Sequence, residues 1–104
     1  MDLMTNELRE KLPALGATDG TDGICVAKYF TPDANWTWLA MEYDGDDLFF
    51  GAVSGAEFEL GYFRLSELEQ NTGPLGLHIE RDLYFKPAPL SEIRKHYDRR
   101  GWSR

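Results

Sequence analysis

Two hydrophobic periods run along this chain, and the switches between them divide it into elements. Met4, Leu8, Leu12 and Leu15 recur at helical spacing and form one apolar stripe, which predicts an N-terminal helix within residues 1–15. Thr5 or Asn6 offers a capping side chain, and Glu7 stands four residues before Lys11 in the stabilising order. Pro13 biases Leu12 away from helical geometry, so the helix stops near there. The glycine-rich GATDGTDG of residues 16–23 is a polar connector. Its Asp19 and Asp22 lack the ligand spacing of an EF-hand, and a plain turn is the favoured reading.

From residue 24 the period shortens to two. ICVAKYF (24–30) is a short apolar strand, followed by turn residues Thr31 to Asn35. In the strand Trp36–Tyr43, strict alternation puts Trp36, Trp38, Ala40 and Glu42 on one face and Thr37, Leu39, Met41 and Tyr43 on the other. The turn Asp44-Gly45-Asp46-Asp47 leads into Leu48–Ser54, and Gly55 lies in the next turn. Glu57, Glu59 and Gly61 then alternate with Phe58, Leu60 and Tyr62, the pattern of a half-buried strand with carboxylates on its wet side. Three strands joined by tight turns make an antiparallel meander, with residues 24–30 as a fourth member.

Beyond the meander, Ser66 and Glu69 fit a capping box that opens the short helix SELEQ, stopped by Asn71-Thr72-Gly73-Pro74. His78–Phe85 is a further strand, with Ile79, Leu83 and Phe85 on one side. Arg81 falls on that side too and must reach a carboxylate or the rim. Pro87 and Pro89 break the pattern. Ser91 caps a last helix that carries Ile93 and Tyr97 and ends at Gly101. The expected fold is α+β in a single domain, residues 1–104. It has a curved antiparallel sheet of four or five strands, a helix at each end and one short internal helix. Residues 24–63 hold the acidic meander, 64–90 the short helix and a strand, and 91–104 a basic helix and tail.

Charge sharpens this picture. Residues 29–63 contain Asp33, Glu42, Asp44, Asp46, Asp47, Glu57 and Glu59 with no Lys or Arg, so this stretch carries the net −7 of the whole chain. An isoelectric point near 4.7 disfavours direct contact with a DNA or RNA backbone and favours basic partners. The last eleven residues run the other way, with Arg94, Lys95, Arg99, Arg100 and Arg104 against Asp98. Cations suit a helix C-terminus. A lone cysteine, Cys25, excludes an internal disulfide framework and a cysteine-ligated zinc. Without a long apolar run or a leader pattern, the expectation is a soluble cytoplasmic protein, a monomer or a weak homodimer.

The motif series FTPDANWTW (30–38), LFFGAV (48–53), GYFRLSELE (61–69), GPLGL (73–77) and IERDLYF (79–85) resembles that of a family of short proteins without an assigned function. Those proteins are encoded largely on plasmids, integrative elements and prophages. The resemblance covers about residues 12–93 and leaves the basic tail outside. It implies one compact domain in a mobile-element setting, with no catalytic residues to carry over. Some small acidic proteins of such elements inhibit host defence nucleases, CRISPR effectors among them.

Catalytic chemistry has little to draw on. The only histidines are His78 and His96, and Cys25 sits in an apolar strand, where a thiol behaves as a small hydrophobe. Asp44, Asp46 and Asp47 lie in a solvated turn, where ordinary carboxylate values are expected and oxygen ligands are too few in register for a divalent ion. No phosphate-binding glycine loop is present, so neither enzyme activity, metal nor cofactor is expected. Trp36 and Trp38 face the same way, either as core or as the anchor of a partner. Carboxylates on a wet sheet face serve either as edge protection or as a surface that competes with phosphate for a basic groove. Glu57 and Glu59 stand about 6.6–6.8 Å apart along a strand, near the phosphate step of one nucleic-acid strand. The expected function is inhibition of a defence nuclease of anti-CRISPR or anti-restriction type. Asp33, Glu42, Asp44, Asp46, Asp47, Glu57 and Glu59 would steer, and Trp36 or Trp38 would anchor. The alternative is an accessory protein-binding module for plasmid maintenance or transfer.

Overall fold

A computed structural model describes the backbone of residues 1–102 and the side chains of residues 1–97. In chain order the elements are α1 (Asn6–Lys11), β1 (Ile24–Cys25), β2 (Ala27–Phe30), β3 (Thr37–Tyr43), β4 (Leu48–Ser54), β5 (Phe58–Arg64), α2 (Leu65–Gln70), β6 (Glu80–Arg81), β7 (Ala88–Pro89) and α3 (Leu90–Trp102). This is the expected α+β class. Five strands make an open antiparallel sheet in the order β5-β4-β3-β2-β6, and β1 pairs with β7 in a separate two-stranded ladder.

The most fully buried strand, β3, lies at the centre and is covered on both faces. On one face Tyr29, Ala40, Tyr43, Phe49 and Phe63 pack against Leu3, Leu12, Leu65, Leu68 and Ile79, which come from the N-terminal segment, α2 and the approach to β6. Phe49 stacks between Tyr43 and Phe63, with ring centroids 4.7 and 5.1 Å apart. On the other face Cys25, Leu39, Met41 and Ala52 meet Leu90, Ile93 and Tyr97 of α3. Helix, sheet and helix therefore form three layers. Gly51 lets the β3–β4 pair close up, because a Cβ there would overlap the Leu39 carbonyl.

Several local expectations shift. The N-terminal helix spans only Asn6–Lys11, capped by Thr5, whose hydroxyl accepts from Leu8 N at 3.2 Å; Leu15 lies outside it, 36% exposed. The segment 24–30 divides into two strands because Val26 N–H bonds the Ala40 carbonyl between ladders, and β1 leaves the sheet to pair with β7. A β-bulge between Ala40 and Glu42 breaks the alternation of β3. Tyr43 thereby joins the face of Trp38 and Ala40, and Glu42 turns to the other.

In β5, Leu60 and Tyr62 are 45% and 67% exposed, whereas Phe63 is buried. The reason is the reach of α3, which covers only the start of this strand. There Tyr97 stacks on Phe58 at 5.4 Å and the Arg94 guanidinium lies 5.1 Å from the same ring. Helix α2 starts at Leu65, so Ser66 lies inside its first turn. Glu67 replaces Glu69 as the reciprocal acceptor, taking Arg64 N–H at 3.0 Å. The strand expected at 78–85 shrinks to Glu80–Arg81, since Asp82 accepts from Tyr84 N and turns the chain away; Leu83 is left exposed. Arg81 donates to the Asp2 main-chain carbonyl at 3.2 Å, and among the described residues no carboxylate pairs with it. Helix α3 continues through Gly101 to Trp102, while the side chains of the basic residues Arg99, Arg100 and Arg104 lie outside the described residues.

Gly51→Ala should lower stability by about 1–3 kcal/mol through overpacking, read from the urea midpoint at unchanged slope. Gly61→Ala, where a Cβ meets nothing within 4 Å, should be close to neutral in the same titration.

Candidate functional site

The acidic residues were expected to form one steering surface, and their positions divide them. Glu42 is only 1% exposed. The bulge aims its carboxylate at the 16–18 connector, where it accepts from Gly16 N at 2.7 Å, Thr18 N at 2.9 Å and the Thr18 hydroxyl. It holds the connector to the sheet and cannot meet a partner, which corrects its assignment as a steering residue. Burial pushes its pKa up, but the hydrogen bonds from Thr18 and Gly16 outweigh burial, and the net shift is downward.

Asp44 and Asp47, expected to behave as ordinary solvated carboxylates, are also acceptors within the fold. Asp44 Oδ1 takes the N–H groups of Asp46, Asp47 and Leu48 at 2.8, 2.8 and 3.0 Å, around Gly45 at φ 87°. Those bonds hold its pKa below the usual range. Asp47 caps α2 across the sheet end, accepting from the Ser66 hydroxyl and Ser66 N at 2.8 Å each, with Arg64 3.7 Å away. Its pKa is lowered by the Ser66 hydroxyl and N–H. Asp33 takes Leu75 N at 2.7 Å through one oxygen, and the other is buried against Gly73, where any side chain would collide with it. In the connector, Asp22 caps α3 through Ser91 N at 2.9 Å and Ser91 Oγ at 2.6 Å, which lowers its pKa.

Asp46, Glu57 and Glu59 project outward. Asp46 sits in the β3–β4 turn and Glu57 in the β4–β5 turn, at opposite ends of the seven-residue β4, about 20 Å apart. The predicted acidic residues thus share no single face.

The tryptophans behave differently. Trp38 is half-buried against the core, while Trp36 is 47% exposed and stacks on it with centroids 6.2 Å apart at 24°. Thr31 holds the backbone of Trp36 through its hydroxyl at 3.1 Å and its N–H at 3.0 Å. The Trp36 indole lies over Gly55, where a side chain would strike the ring. The two indoles wall a cavity of about 530 Å³ completed by Phe63, Leu68, Pro74 and Ile79, with Glu67 and Asn71 at its polar side. Sequence reasoning missed this groove. Its far wall comes from the 73–77 turn, which Asp33 ties to the Trp36 loop, and no periodic pattern signals that contact.

Beside the groove, β3, β4 and β5 align Trp38, Val53 and Glu59 in one registered row. Glu57 stands in the same turn as Gly55, whose N–H donates to the Glu57 carbonyl and over which the Trp36 ring lies. Of the predicted residues, the structure therefore gathers Trp36, Trp38, Glu57 and Glu59.

Cys25 is fully buried, and burial followed by the nearby Asp22 charge pushes its thiol up to about 12. His78 and His96 are exposed, and His78 lies by Ile79 on the opposite face of the sheet from Cys25. Among the described residues no group of three His, Cys, Asp or Glu is placed to hold a metal ion, and no helix is long and apolar enough to cross a membrane.

These features define a small α+β protein with an open antiparallel sheet and an indole-walled groove, lined by Glu67, with Glu57 and Glu59 beside it. The chain belongs to the family described as protein of unknown function (DUF2958), whose model matches residues 3–101 and so takes in most of the basic C-terminal helix. No curated protein and no solved structure matches it.

Glu42→Ala would leave two backbone donors and a hydroxyl without their acceptor, and should cost about 3 kcal/mol in urea unfolding. Acid should act in the same direction. Glu42, Asp44, Asp47 and Asp22 all titrate lower when folded, so between the unfolded values near 4 and the native ones the unfolded chain binds more protons. Stability should hold above roughly pH 5 and fall steadily as pH drops through the native values, with a shallower fall in Asp47→Asn.

Proposed function

We propose that this protein is a non-catalytic binding domain for a basic protein surface, gripping an apolar or aromatic side chain of its partner in the indole groove. The observation that carries this reading is the convergence of Trp36 and Trp38 with Glu57 and Glu59 at one end of the sheet. An exposed indole over a preformed cavity is the kind of anchor that dominates interface energetics. Carboxylates beside it attract Lys and Arg and repel nucleic acid. Because the anchor rests on a rigid ladder, little ordering cost opposes binding.

In the mobile-element setting that the sequence resemblance implies, the partner class is a nucleic-acid-handling protein, with a host defence nuclease of CRISPR or restriction type as first candidate. The rival is an accessory module for plasmid maintenance or transfer, which binds its protein without blocking cleavage. Relative to the sequence expectation, the contact surface moves from the whole acidic meander to the groove and its two glutamates.

Addition of the protein to a purified defence nuclease should slow cleavage of its target DNA, and the effect should weaken as salt rises. Trp36→Ala should weaken inhibition at least about tenfold, the scale of a hot-spot indole. The double reversal Glu57→Lys/Glu59→Lys should abolish inhibition while circular dichroism stays unchanged. Inhibition at wild-type strength by that double variant would refute the reading. Binding with undiminished cleavage would favour the accessory role.

A further inference from the structure

We propose that β5 is a self-pairing edge through which two copies of this chain join antiparallel, two-fold related at Gly61, into one continuous sheet. The opposite edge, β6, is two residues long, whereas β5 offers seven residues paired only with β4 among the described elements. A long open edge is a template for another strand.

The backbone phase of that edge can be read from the ladder. Gly55 N donates to the Glu57 carbonyl and Leu65 N to the Asp47 carbonyl, and both continue the β4–β5 register outward. Odd-numbered residues of β5 therefore bond to β4, and Phe58, Leu60, Tyr62 and Arg64 point their N–H and C=O groups away from the sheet. A two-fold axis at Gly61 sets Leu60 opposite Tyr62 of the second copy, and Phe58 opposite Arg64, as hydrogen-bonded pairs. Every outward backbone group then meets its complement.

The side chains favour a second copy over an unrelated strand. Leu60 and Tyr62 are the large apolar groups left uncovered on this strand, and the axis places each against the other's partner on the same sheet face. Gly61 carries no side chain at the axis, and a Cβ there meets nothing within 4 Å. The strand is also polar along its length, with Glu57 and Glu59 at its start and the exposed Arg64 at its end. Antiparallel pairing is the orientation that brings the basic end of one copy beside the acidic end of the other. The two Glu59 carboxylates stay four positions apart, about 13 Å. A contact confined to one strand falls below the roughly 1,200 Å² of stable complexes, so the association is weak and concentration-dependent.

The test uses the full chain with cysteines placed by this register. Gly61→Cys sets two thiols directly opposite each other as a non-hydrogen-bonded pair, where cross-strand Cβ atoms stand about 4.5–5.5 Å apart. Mild oxidation should convert this variant to a covalent dimer at least about tenfold faster than Glu59→Cys, whose register partner is Phe63. The wild type, whose only thiol is buried, should give none. Tyr62→Lys in the Gly61→Cys background should slow crosslinking about tenfold with unchanged circular dichroism, and light scattering of the wild type should show mass rising with concentration. If the Gly61→Cys thiol reacts freely with a small reagent yet stays monomeric, or if Glu59→Cys crosslinks as fast, the proposal is wrong.

Discussion

A backbone N–H withdrawn from its ladder must find an acceptor, and in this protein the acceptor is repeatedly a carboxylate. Glu42 takes the connector at Gly16 and Thr18, and Asp44 takes three N–H groups of its own turn. Asp47 opens α2, Asp22 opens α3, and Asp33 fixes the turn that walls the groove. The loops are short of regular structure but not of hydrogen bonds. Much of the acidity that looks like a functional surface in one dimension is consumed in holding loops to the sheet, and the high acid content and the small, loop-rich fold are two sides of one solution.

The strands were the legible part. Alternation in 36–43 and 57–63 and the apolar run 48–54, with turn chemistry between, were enough for the meander, and Pro13 was enough to end α1. What could not be read was every contact whose partner lies far along the chain. The bulge at Met41 leaves no mark in composition, yet it inverts Glu42 and Tyr43 relative to strict alternation. The exposure of Leu60 and Tyr62 depends on where α3 stops covering the sheet, a matter of helix position that a local pattern cannot carry. Likewise Asp47 and Asp22 read as turn residues, because the serines they cap lie 19 and 69 positions away. For the candidate site, the indoles and the two glutamates were visible as types. The cavity between them was not, since its far wall depends on the Asp33 bond to Leu75.

The same distinction bears on function. A carboxylate that already accepts two or three hydrogen bonds has little to offer an incoming lysine, so counting acidic residues overstates the field a partner would feel. Glu57 and Glu59 differ because they stand on a rigid strand and its turn, next to an aromatic pair set in place by Thr31 and Gly55. A surface built this way relies on shape at its centre and charge at its margin.

The layering of the sheet also sets an order in which a chain leaving the ribosome can finish folding. The strands from 27 to 64 and their α2 cover are complete once residue 79 has emerged. Cys25, Leu39, Met41 and Ala52 then still face water until Leu90, Ile93 and Tyr97 arrive and Ser91 finds Asp22. For that interval the nascent protein displays one finished face and one greasy one. A stop codon before the last helix would make the half-covered state permanent, a product fit for chaperones and proteases.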